Sequence, residues 1–501
     1  MNDGREWESP APLDDDPRID TDRELPSRSN AQVAAASGVI GGPVGLHAAV
    51  GRSRYWTPVR AVLLMALVVL AVSWTGKAGC LQQAPVPAAP GEDATGEMRL
   101  NWDNQRQYYS LCYTDIVAMY AAQRLTPRDL QQGTMPYRTY WYDDAASTGT
   151  KRYTDQPVLI GLTMYVAAKA TQGWQALVDG TAVAKQLDVV TFFNIAALLI
   201  TLFWLLAVWA TMKTDRRRLW RGALVALSPL VLVHAFTAFD VIPVALVALA
   251  LLCWSRERVL LAGVFGGLAA AAALYPLLLL PAVAVICVRD RRVQDFWAFL
   301  TCGGIAWLAV NLPVMVSYPR GWGEFYRTWW QRGVEPDSLY HQVMRLTGWA
   351  PSTTLLNVLS LTLLAAVIAA VAYLALRAEV TPTLAQLMFL LVAGYLLVGT
   401  TWHPQSSLWL VPLAVLAVPY VRLLVAVMVI DALVWVPRMG LFLDPERKWL
   451  NEDWFSVAVV IRAIAVLVLC AVVVRDLLAR TPQQRPPAPP VPAAPYAGAT
   501  S

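Results

Sequence analysis

A single carboxylate stands in an aromatic-rich stretch of the chain. Residues 108–116 run Tyr-Tyr-Ser-Leu-Cys-Tyr-Thr-Asp-Ile, with Asp115 as the only acidic residue. Aromatic rings stack on sugars and lie well at a membrane interface. An aspartate among them could deprotonate an acceptor hydroxyl, as general base, while a sugar leaves its phosphate. The alternative is that Asp115 caps a helix that starts at Ile116, since Asp is a favoured N-cap residue.

A leaving phosphate needs cationic or hydroxyl partners close to the membrane surface, because a lipid carrier keeps its phosphate at headgroup level. His403, in the sequence Thr-Trp-His-Pro-Gln, lies at a predicted turn of this kind. A second predicted loop carries arginines among tryptophans: Arg320, Arg327 and Arg332 with Trp322, Trp329 and Trp330. The alternative role of these arginines and tryptophans is to anchor the chain at the membrane interface.

Four further ionisable residues have predicted roles. Asp240 and Asp337 are candidates to bind donor or acceptor hydroxyls at the outer face, with helix capping as an equal alternative for each. Asp431 and Arg462 stand inside two predicted antiparallel spans, roughly 9 and 12 Å from the outer end at a rise of 1.5 Å per residue. Charges inside a bilayer are costly and face a partner or a cavity, so we expect Asp431 and Arg462 to pair.

The elements that must position these residues are membrane helices. Hydrophobic residues make up 57% of the 501 and charged residues 15%, and the charges cluster between apolar runs long enough to cross a bilayer. The net charge of +5 is spread over short loops, which fits the excess of Lys and Arg on a cytoplasmic face and not a nucleic-acid surface. The sequence therefore predicts an all-α polytopic membrane protein that does not bind nucleic acid.

About twelve spans are predicted from hydropathy. They lie at 58–76, 188–211, 222–238, 240–254, 259–274, 276–288, 296–314, 354–376, 382–401, 405–420, 422–437 and 454–474. Basic clusters then fall on one side of the membrane, which puts both termini in the cytoplasm. The apolar stretch 157–172 is short, and we interpret it as a re-entrant or interfacial helix. The hairpins 222–254 and 259–288 turn with almost no loop and predict a recessed, outward-facing site.

Three domains follow from this topology. Residues 1–54 and 481–501 lack apolar periodicity and are predicted to be disordered cytoplasmic tails, the second rich in Pro and Ala. Residues 55–480 form the membrane domain, with outer loops at 77–156, 315–353 and 438–453.

Cys80 and Cys112 differ from the other cysteines because both are predicted to lie outside, where an oxidising compartment permits a disulfide. Two free thiols are the equal alternative. If formed without strain, the bridge would contribute roughly 3 to 4 kcal/mol. The other four cysteines lie in or at the ends of apolar spans without metal-ligand spacing.

The order of several short stretches resembles the GT-C superfamily, and most closely glycosyltransferase family 87, the polyprenyl-phosphate-mannose-dependent mannosyltransferases. The resemblance covers most of residues 58–475. It is carried by Tyr113-Thr114-Asp115-Ile116, Gln156-Pro157-Val158-Leu159-Ile160-Gly161, Ser228-Pro229 followed by Asp240, Leu274-Tyr275-Pro276, Asp337-Ser338-Leu339-Tyr340, and Pro404-Gln405-Ser406-Ser407-Leu408-Trp409-Leu410. Similar proteins often have Glu-Tyr-Pro where this chain has Asp155-Gln156-Pro157, and a Lys before Tyr-Pro where it has Ala273-Leu274.

The resemblance implies a GT-C-like bundle with a large outer first loop and an inverting, metal-independent transfer without a cofactor, in which Asp115 is the catalytic base. The donor would be a polyprenyl-phosphate sugar, with mannose the first expectation and arabinose or glucose open. The predicted donor-binding residues are His403, Gln405, Tyr275, Arg320, Arg327, Asp240 and Asp337. The acceptor would be a glycolipid or polysaccharide of the cell envelope, reached from the plasma membrane.

Two other classes of protein share parts of this pattern. A flippase or transporter of lipid-linked sugars would also have an outward groove, although transporters tend to place substrate groups near the midplane of the membrane. An inactive relative that scaffolds envelope-synthesis partners is the third class, and the missing Lys before Tyr275 is compatible with it. The aromatic outer loop and the few deep charges favour the enzyme.

Overall fold

The computed structural model describes residues 57–86, 97–142, 149–182 and 184–479. The two predicted tails, 1–54 and 481–501, lie outside the described residues. The described residues are almost entirely helical, with two short antiparallel hairpins within 83–152. The all-α prediction is confirmed.

The helices are labelled in chain order. The first group is α1 Pro58–Ala78, α2 Arg106–Tyr109, α3 Asp115–Ala122, α4 Pro127–Gln131, α5 Val158–Val178, α6 Asp188–Thr214, α7 Gly222–Ala226, α8 Pro229–His234, α9 Val241–Ser255 and α10 Val259–Ala270. The second group is α11 Leu279–Arg289, α12 Val293–Ser317, α13 Pro319–Gln331, α14 Leu339–Thr347, α15 Thr353–Arg377, α16 Leu384–Val398, α17 Leu410–Ala417, α18 Val421–Leu433, α19 Trp435–Leu441 and α20 Glu452–Ala479. Short 3-10 segments lie at Gly79–Leu81, Asp103–Gln105, Arg216–Arg221, Tyr275–Leu278 and Pro404–Trp409.

Six helical segments in the described part of the chain are long and apolar enough to cross a membrane. They are Pro58–Leu81, Asp188–Thr214, Val293–Ser317, Thr353–Arg377, Val421–Leu441 and Glu452–Leu478. Five shorter apolar helices of 10–17 residues accompany them. The chain is therefore a multi-pass membrane protein, but the count of twelve full spans is not confirmed.

The predicted span 222–238 is wrong as a single helix. It breaks into α7 and α8 at Leu227 and Ser228, and Pro229 is the first residue of α8. A proline has no backbone N–H to donate and disfavours helical backbone in the residue before it, so Pro229 starts a new helix. Two other predicted spans, 276–288 and 405–420, begin as 3-10 turns with a proline at their start. The stretch 157–172 belongs to α5, which has 21 residues and is not among the six candidate spans.

The centre of the molecule is α9. Every residue of this helix from Val241 to Cys253 is buried, and it packs against α6 and α10. Helix α10 in turn lies very close to α12, because Gly263 and Gly267 face the backbone of α12. A Cβ at Gly267 would lie 2.1 Å from the carbonyl oxygen of Gly303, so only glycine permits this approach.

The segment between α1 and α3 contains a disulfide between Cys80 and Cys112. Strand β1, Gln83–Pro85, follows Cys80 closely in sequence and pairs antiparallel with β2, Met98–Leu100. Strands β3, Trp141–Tyr142, and β4, Lys151–Arg152, form the second hairpin. The disulfide thus ties the end of α1 to the segment that leads into α3 and its Asp115.

Candidate active site

A cavity of about 420 Å³, lined by both polar and aromatic side chains, lies between the loops and the broken helices. Its walls come from segments far apart in the sequence: the start of α3, the residues before α5, the turns before α9 and after α10, the loop after α13, and the 3-10 segment before α17. Six polar residues that line it are Asp115, Asp155, Asp240, Glu335, His403 and Gln405. The recessed site predicted from the tight hairpins therefore has a counterpart in the fold.

Asp115 is the first residue of α3, and Thr114 is the N-cap, its side chain accepting a hydrogen bond from the Ile116 N–H at 3.2 Å. The capping role considered for Asp115 is therefore wrong, because Thr114 fills it. The carboxylate instead accepts a hydrogen bond from Nε2 of Gln405 at 3.0 Å, and its backbone N–H donates to the carbonyl of Thr237. Burial and the neighbouring Asp115 raise the pKa of Tyr113, which keeps that phenol neutral.

His403 precedes Pro404 and has extended backbone, with φ −58° and ψ 143°, as a residue before proline prefers. Its ring lines the cavity, and Nδ1 lies 3.1 Å from Oε2 of Glu335. The backbone N–H of Glu335 donates to the carbonyl of Thr400, which lies three residues before His403 in the sequence. The site therefore contains an acid and imidazole pair that joins two loops.

Asp240 lies in the turn before α9, outside the six candidate spans. It occupies the N-cap position but makes no capping hydrogen bond there. Its carboxylate accepts a hydrogen bond from the indole N–H of Trp409 at 2.8 Å, and Trp409 stacks on the buried ring of Tyr275 with centroids 4.3 Å apart. Burial raises the pKa of Asp240 to about 6, and the nearby Asp115 acts in the same direction. Tyr275 therefore packs against Trp409 but does not itself line the cavity.

Asp155 and Gln156 form the wall opposite Asp240, and both line the cavity. The carboxylate of Asp155 accepts hydrogen bonds from Gln123 at 2.8 Å and Gln156 at 3.1 Å. The buried Tyr137 hydroxyl lies 3.0 Å from the carbonyl oxygens of Gln156 and Pro157. These contacts fix the turn that leads into α5.

The predicted arginines divide into two groups. Arg332 lines the cavity, whereas Arg320 and Arg327 do not. Arg327 is instead paired with the buried carboxylate of Glu324 at 2.6 Å, one helical turn away on α13. Ala273 and Leu274, where similar proteins often have Lys, do line the cavity. The positive charge of this site is therefore supplied from the loop after α13, together with His403 when it is protonated.

Asp337 lies behind the cavity and does not line it. The side chain is 1% exposed, and Oδ2 accepts a hydrogen bond from Nε of Arg438 at 2.8 Å. The N-cap of α14 is Ser338, so the capping alternative for Asp337 is wrong as well. A direct contact of Asp337 with substrate hydroxyls would require the ion pair with Arg438 to open.

Asp431 and Arg462 come together inside the membrane domain, with Nη1 of Arg462 4.0 Å from Oδ1 of Asp431. Arg462 is fully buried and also donates from Nη2 to the backbone carbonyls of Asp337, at 2.8 Å, and Trp402, at 3.2 Å. Its guanidinium stacks on the Trp402 ring, 4.1 Å from the centroid. This one side chain therefore braces both loops that carry the Glu335 and His403 pair.

One group of side chains has the geometry to hold a metal ion. Donor atoms of Glu335, Asp337 and His403 all lie within 4.8 Å of one another. A carboxylate pair and an imidazole suit several divalent metals. Asp337 has a partner outside this group, however, because its carboxylate pairs with Arg438, while His403 and Glu335 contact each other.

Comparison with known protein families identifies one that matches the central part of this chain. Residues 181–401 match glycosyltransferase family 87. The match confirms the resemblance to this family. The matched region includes Asp240, Tyr275 and Glu335, while Asp115 and His403 lie outside it. No protein of curated function matches the chain. The match over the central region supports a glycosyltransferase and agrees with a multi-pass membrane fold.

Glu335 is the residue that sequence reasoning missed most clearly. The sequence Val-Glu-Pro-Asp at 334–337 offered a second acidic residue beside Asp337, and only Asp337 was singled out. Trp409 was also not singled out, although it lies in the stretch Pro404–Leu410 that resembles family 87. The available signal for Glu335 was a charge beside a proline, and for Trp409 an aromatic residue in a short proline-led segment.

Proposed function

We propose that this protein transfers a sugar, with mannose the first candidate, from a polyprenyl-phosphate donor to a hydroxyl of a cell-envelope glycolipid or polysaccharide, with inversion at the anomeric carbon. The observation that carries the proposal is the cavity itself. It gathers the carboxylate of Asp115 and two hydrogen-bond donors, His403 and Arg332, in a chain that matches a glycosyltransferase family over its central region.

In this reaction the acceptor oxygen attacks the anomeric carbon as Asp115 takes the acceptor proton. The bond between the anomeric carbon and the phosphate oxygen breaks, and the phosphate keeps the electron pair. His403 and Arg332 stabilise the added charge on the phosphate, because cationic donors act most strongly where charge develops in a site that excludes water. No cofactor enters this scheme. We place the reaction at the outer face of the plasma membrane, with both termini in the cytoplasm.

The hydrophobic surroundings suit a lipid-linked donor. The cavity is lined on one side by Phe239, Phe325, Trp329 and Tyr395. Aromatic side chains of this kind contact both sugar faces and isoprenoid chains. A water-soluble nucleotide sugar would need cationic partners for two phosphates, and in the described part of the chain Arg332 is the only Arg or Lys that lines the cavity.

The test is transfer of radiolabelled mannose from polyprenyl-phosphate mannose to cell-envelope lipids by purified protein. Asp115→Asn at matched folded yield should lose roughly 10²- to 10⁴-fold in rate, the usual value of a general base. Asp103→Asn is the matched control, because Asp103 is an exposed aspartate of the same outer loop that pairs with Arg99 and does not line the cavity.

Equal rates for wild type and Asp115→Asn would rule out Asp115 as the base. If wild type transfers no mannose, the glucose and arabinose donors are tried in the same assay. Failure with all three, combined with movement of the lipid-linked sugar across vesicles, would favour the transporter over the enzyme.

A further inference from the structure

Among the described residues that line the cavity, Glu335 is the only acidic one within ion-pair distance of a basic side chain of the cavity. Its Oε2 atom is 3.1 Å from Nδ1 of His403, and both side chains are about one quarter exposed, at 24% and 27%. A carboxylate at this distance attracts a protonated imidazole and favours the ring orientation in which Nδ1 faces Glu335. With Nδ1 turned to Glu335, Nε2 is the nitrogen left for a ligand.

From this contact, resting on the proposed function, we infer that Glu335 is a positioning residue, which holds the doubly protonated ring of His403 with Nδ1–H toward its own carboxylate and Nε2–H toward the phosphate of the lipid-linked donor.

The backbone around the pair is built to keep this geometry. The N–H of Glu335 donates to the carbonyl of Thr400 at 3.1 Å, and the Glu335 carbonyl accepts from both the N–H and the hydroxyl of Ser338, at 3.0 and 2.8 Å. Pro336 follows Glu335 and Pro404 follows His403, so the backbone of each residue is restricted by the proline after it. The pair is therefore set between two rigid turns.

Arg462 fixes the two turns relative to each other. It donates to the carbonyl of Asp337, two residues after Glu335, and to that of Trp402, the residue before His403. A buried guanidinium with these two partners and Asp431 has few alternative arrangements. The distance between Glu335 and His403 is thus set by the fold and not by the two side chains alone.

Other charged groups face this part of the cavity, and none replaces Glu335. Asp240 is engaged by Trp409, Asp115 by Gln405, and Asp155 by Gln123. Asp337 is close to the pair but is held by Arg438. Arg332 is the remaining cation at the cavity wall and would act on the phosphate together with His403.

The test is a double-mutant cycle on transfer activity with polyprenyl-phosphate mannose. Glu335→Ala should lower kcat roughly 10- to 100-fold, the value of a hydrogen bond to a charged group, with a smaller change in acceptor KM. His403→Asn should lower it further. In the double variant the loss should equal that of His403→Asn alone, because Glu335 acts only through the ring.

Two further sets of variants make the double-mutant cycle more specific. Glu335→Asp keeps the carboxylate and should recover part of the rate, whereas Glu335→Leu should not. Asp155→Asn combined with His403→Asn is the matched control, and these losses should add, because Asp155 is bonded to Gln123 and not to His403. Additive losses for Glu335→Ala and His403→Asn would overturn the positioning role.

A measurement without turnover separates this inference from the proposed function. The chain has four histidines, so nitrogen-15 NMR of histidine-labelled protein is tractable, and the His403 signal is the one lost in His403→Asn. Nδ1 of His403 should be protonated in the wild type and should change in Glu335→Ala. An unprotonated Nδ1 in the wild type would overturn the inference. The expected Nδ1 result with no transfer of any sugar would support the pairing and overturn the transferase function.

Discussion

Nε2 of Gln405 donates a hydrogen bond to Oδ2 of Asp115 at 3.0 Å, across 290 residues of sequence. The resemblance to family 87 suggested Gln405 as a donor-binding residue, but its amide faces the candidate base. Oδ2 of Asp115 is thereby held by Gln405, on a carboxylate that lines the cavity. Because Gln405 is two residues from His403, a single short segment reaches both the predicted base and the predicted phosphate-binding residue.

Gln405→Leu should therefore lower kcat roughly 10- to 100-fold, since a hydrogen bond to a charged group is lost and the carboxylate is free to rotate. The acceptor KM should change less, because Gln405 touches the base and not the acceptor. Steady-state transfer rates at saturating donor measure both effects.

Gln123→Leu is the control for this variant. Gln123 supports Asp155 in the same way that Gln405 supports Asp115, so it reports on general loosening of the cavity wall. If both variants lower kcat equally, Gln405 has no special role toward Asp115.

Arg462 and Asp431 provide a second prediction, on stability. Asp431→Leu leaves a buried guanidinium without its ion-pair partner and should cost about 3 to 5 kcal/mol, seen as a low yield of folded protein and a lower melting temperature. Asp431→Leu with Arg462→Met removes both charges and should recover most of the stability.

Activity should not recover in that double variant, because Arg462 also holds the carbonyls of Asp337 and Trp402 beside the site. Thermal unfolding followed by tryptophan fluorescence and transfer rates on the same preparations would separate the two roles. Unchanged melting of Asp431→Leu would show that the 4.0 Å pair contributes nothing.

The Cys80 and Cys112 bridge closes a loop between residues 32 apart in sequence. The loss of such a cross-link should destabilise the protein by roughly 3 to 4 kcal/mol, chiefly through the entropy of the unfolded chain. Cys80→Ser with Cys112→Ser should lower the melting temperature, and reductant should lower that of the wild type alone. An equal response of both proteins to reductant would contradict a stabilising bridge.

The sequence was a good guide where a local pattern reports on a local structure. Long apolar runs such as 354–376 became α15 almost residue for residue, and Thr114-Asp115 marks the start of α3. The prediction of 222–238 as one span was wrong, because hydropathy does not report the helix break at Ser228 and Pro229. Partners far apart in sequence were harder still. Nothing local in 404–410 reveals that Gln405 meets Asp115, and nothing in 334–337 reveals that Glu335 meets His403.

Asp240 allows a prediction on pH. Burial raises its pKa to about 6 in the folded protein, while an exposed aspartate has a pKa near 4. A raised pKa means that the folded state prefers the protonated form, so stability is full below about pH 4 and falls as pH rises toward 6. Asp240→Asn cannot ionise and should not show this fall, a difference on the order of 3 kcal/mol at neutral pH.

Melting temperatures of the wild type and Asp240→Asn between pH 4 and pH 7 measure the effect. The two curves should approach each other at low pH and separate as pH rises, with the variant the more stable. Asp103→Asn, at an exposed position, should follow the wild type throughout. Parallel curves for wild type and Asp240→Asn would contradict a raised pKa at this position.

The cluster of Glu335, Asp337 and His403 permits a last prediction, on metal dependence. Its donor atoms lie close enough to share an ion, yet Arg438 holds Asp337 at 2.8 Å and Glu335 lies 3.1 Å from His403. A cation entering the cluster would have to compete with Arg438 for Asp337, and two positive charges in one buried site repel each other. We therefore expect transfer rates to survive a chelator such as EDTA unchanged. Loss of activity in EDTA that Mg²⁺ or Mn²⁺ restores in the wild type, but not in Asp337→Asn, would instead assign these three side chains to a metal site.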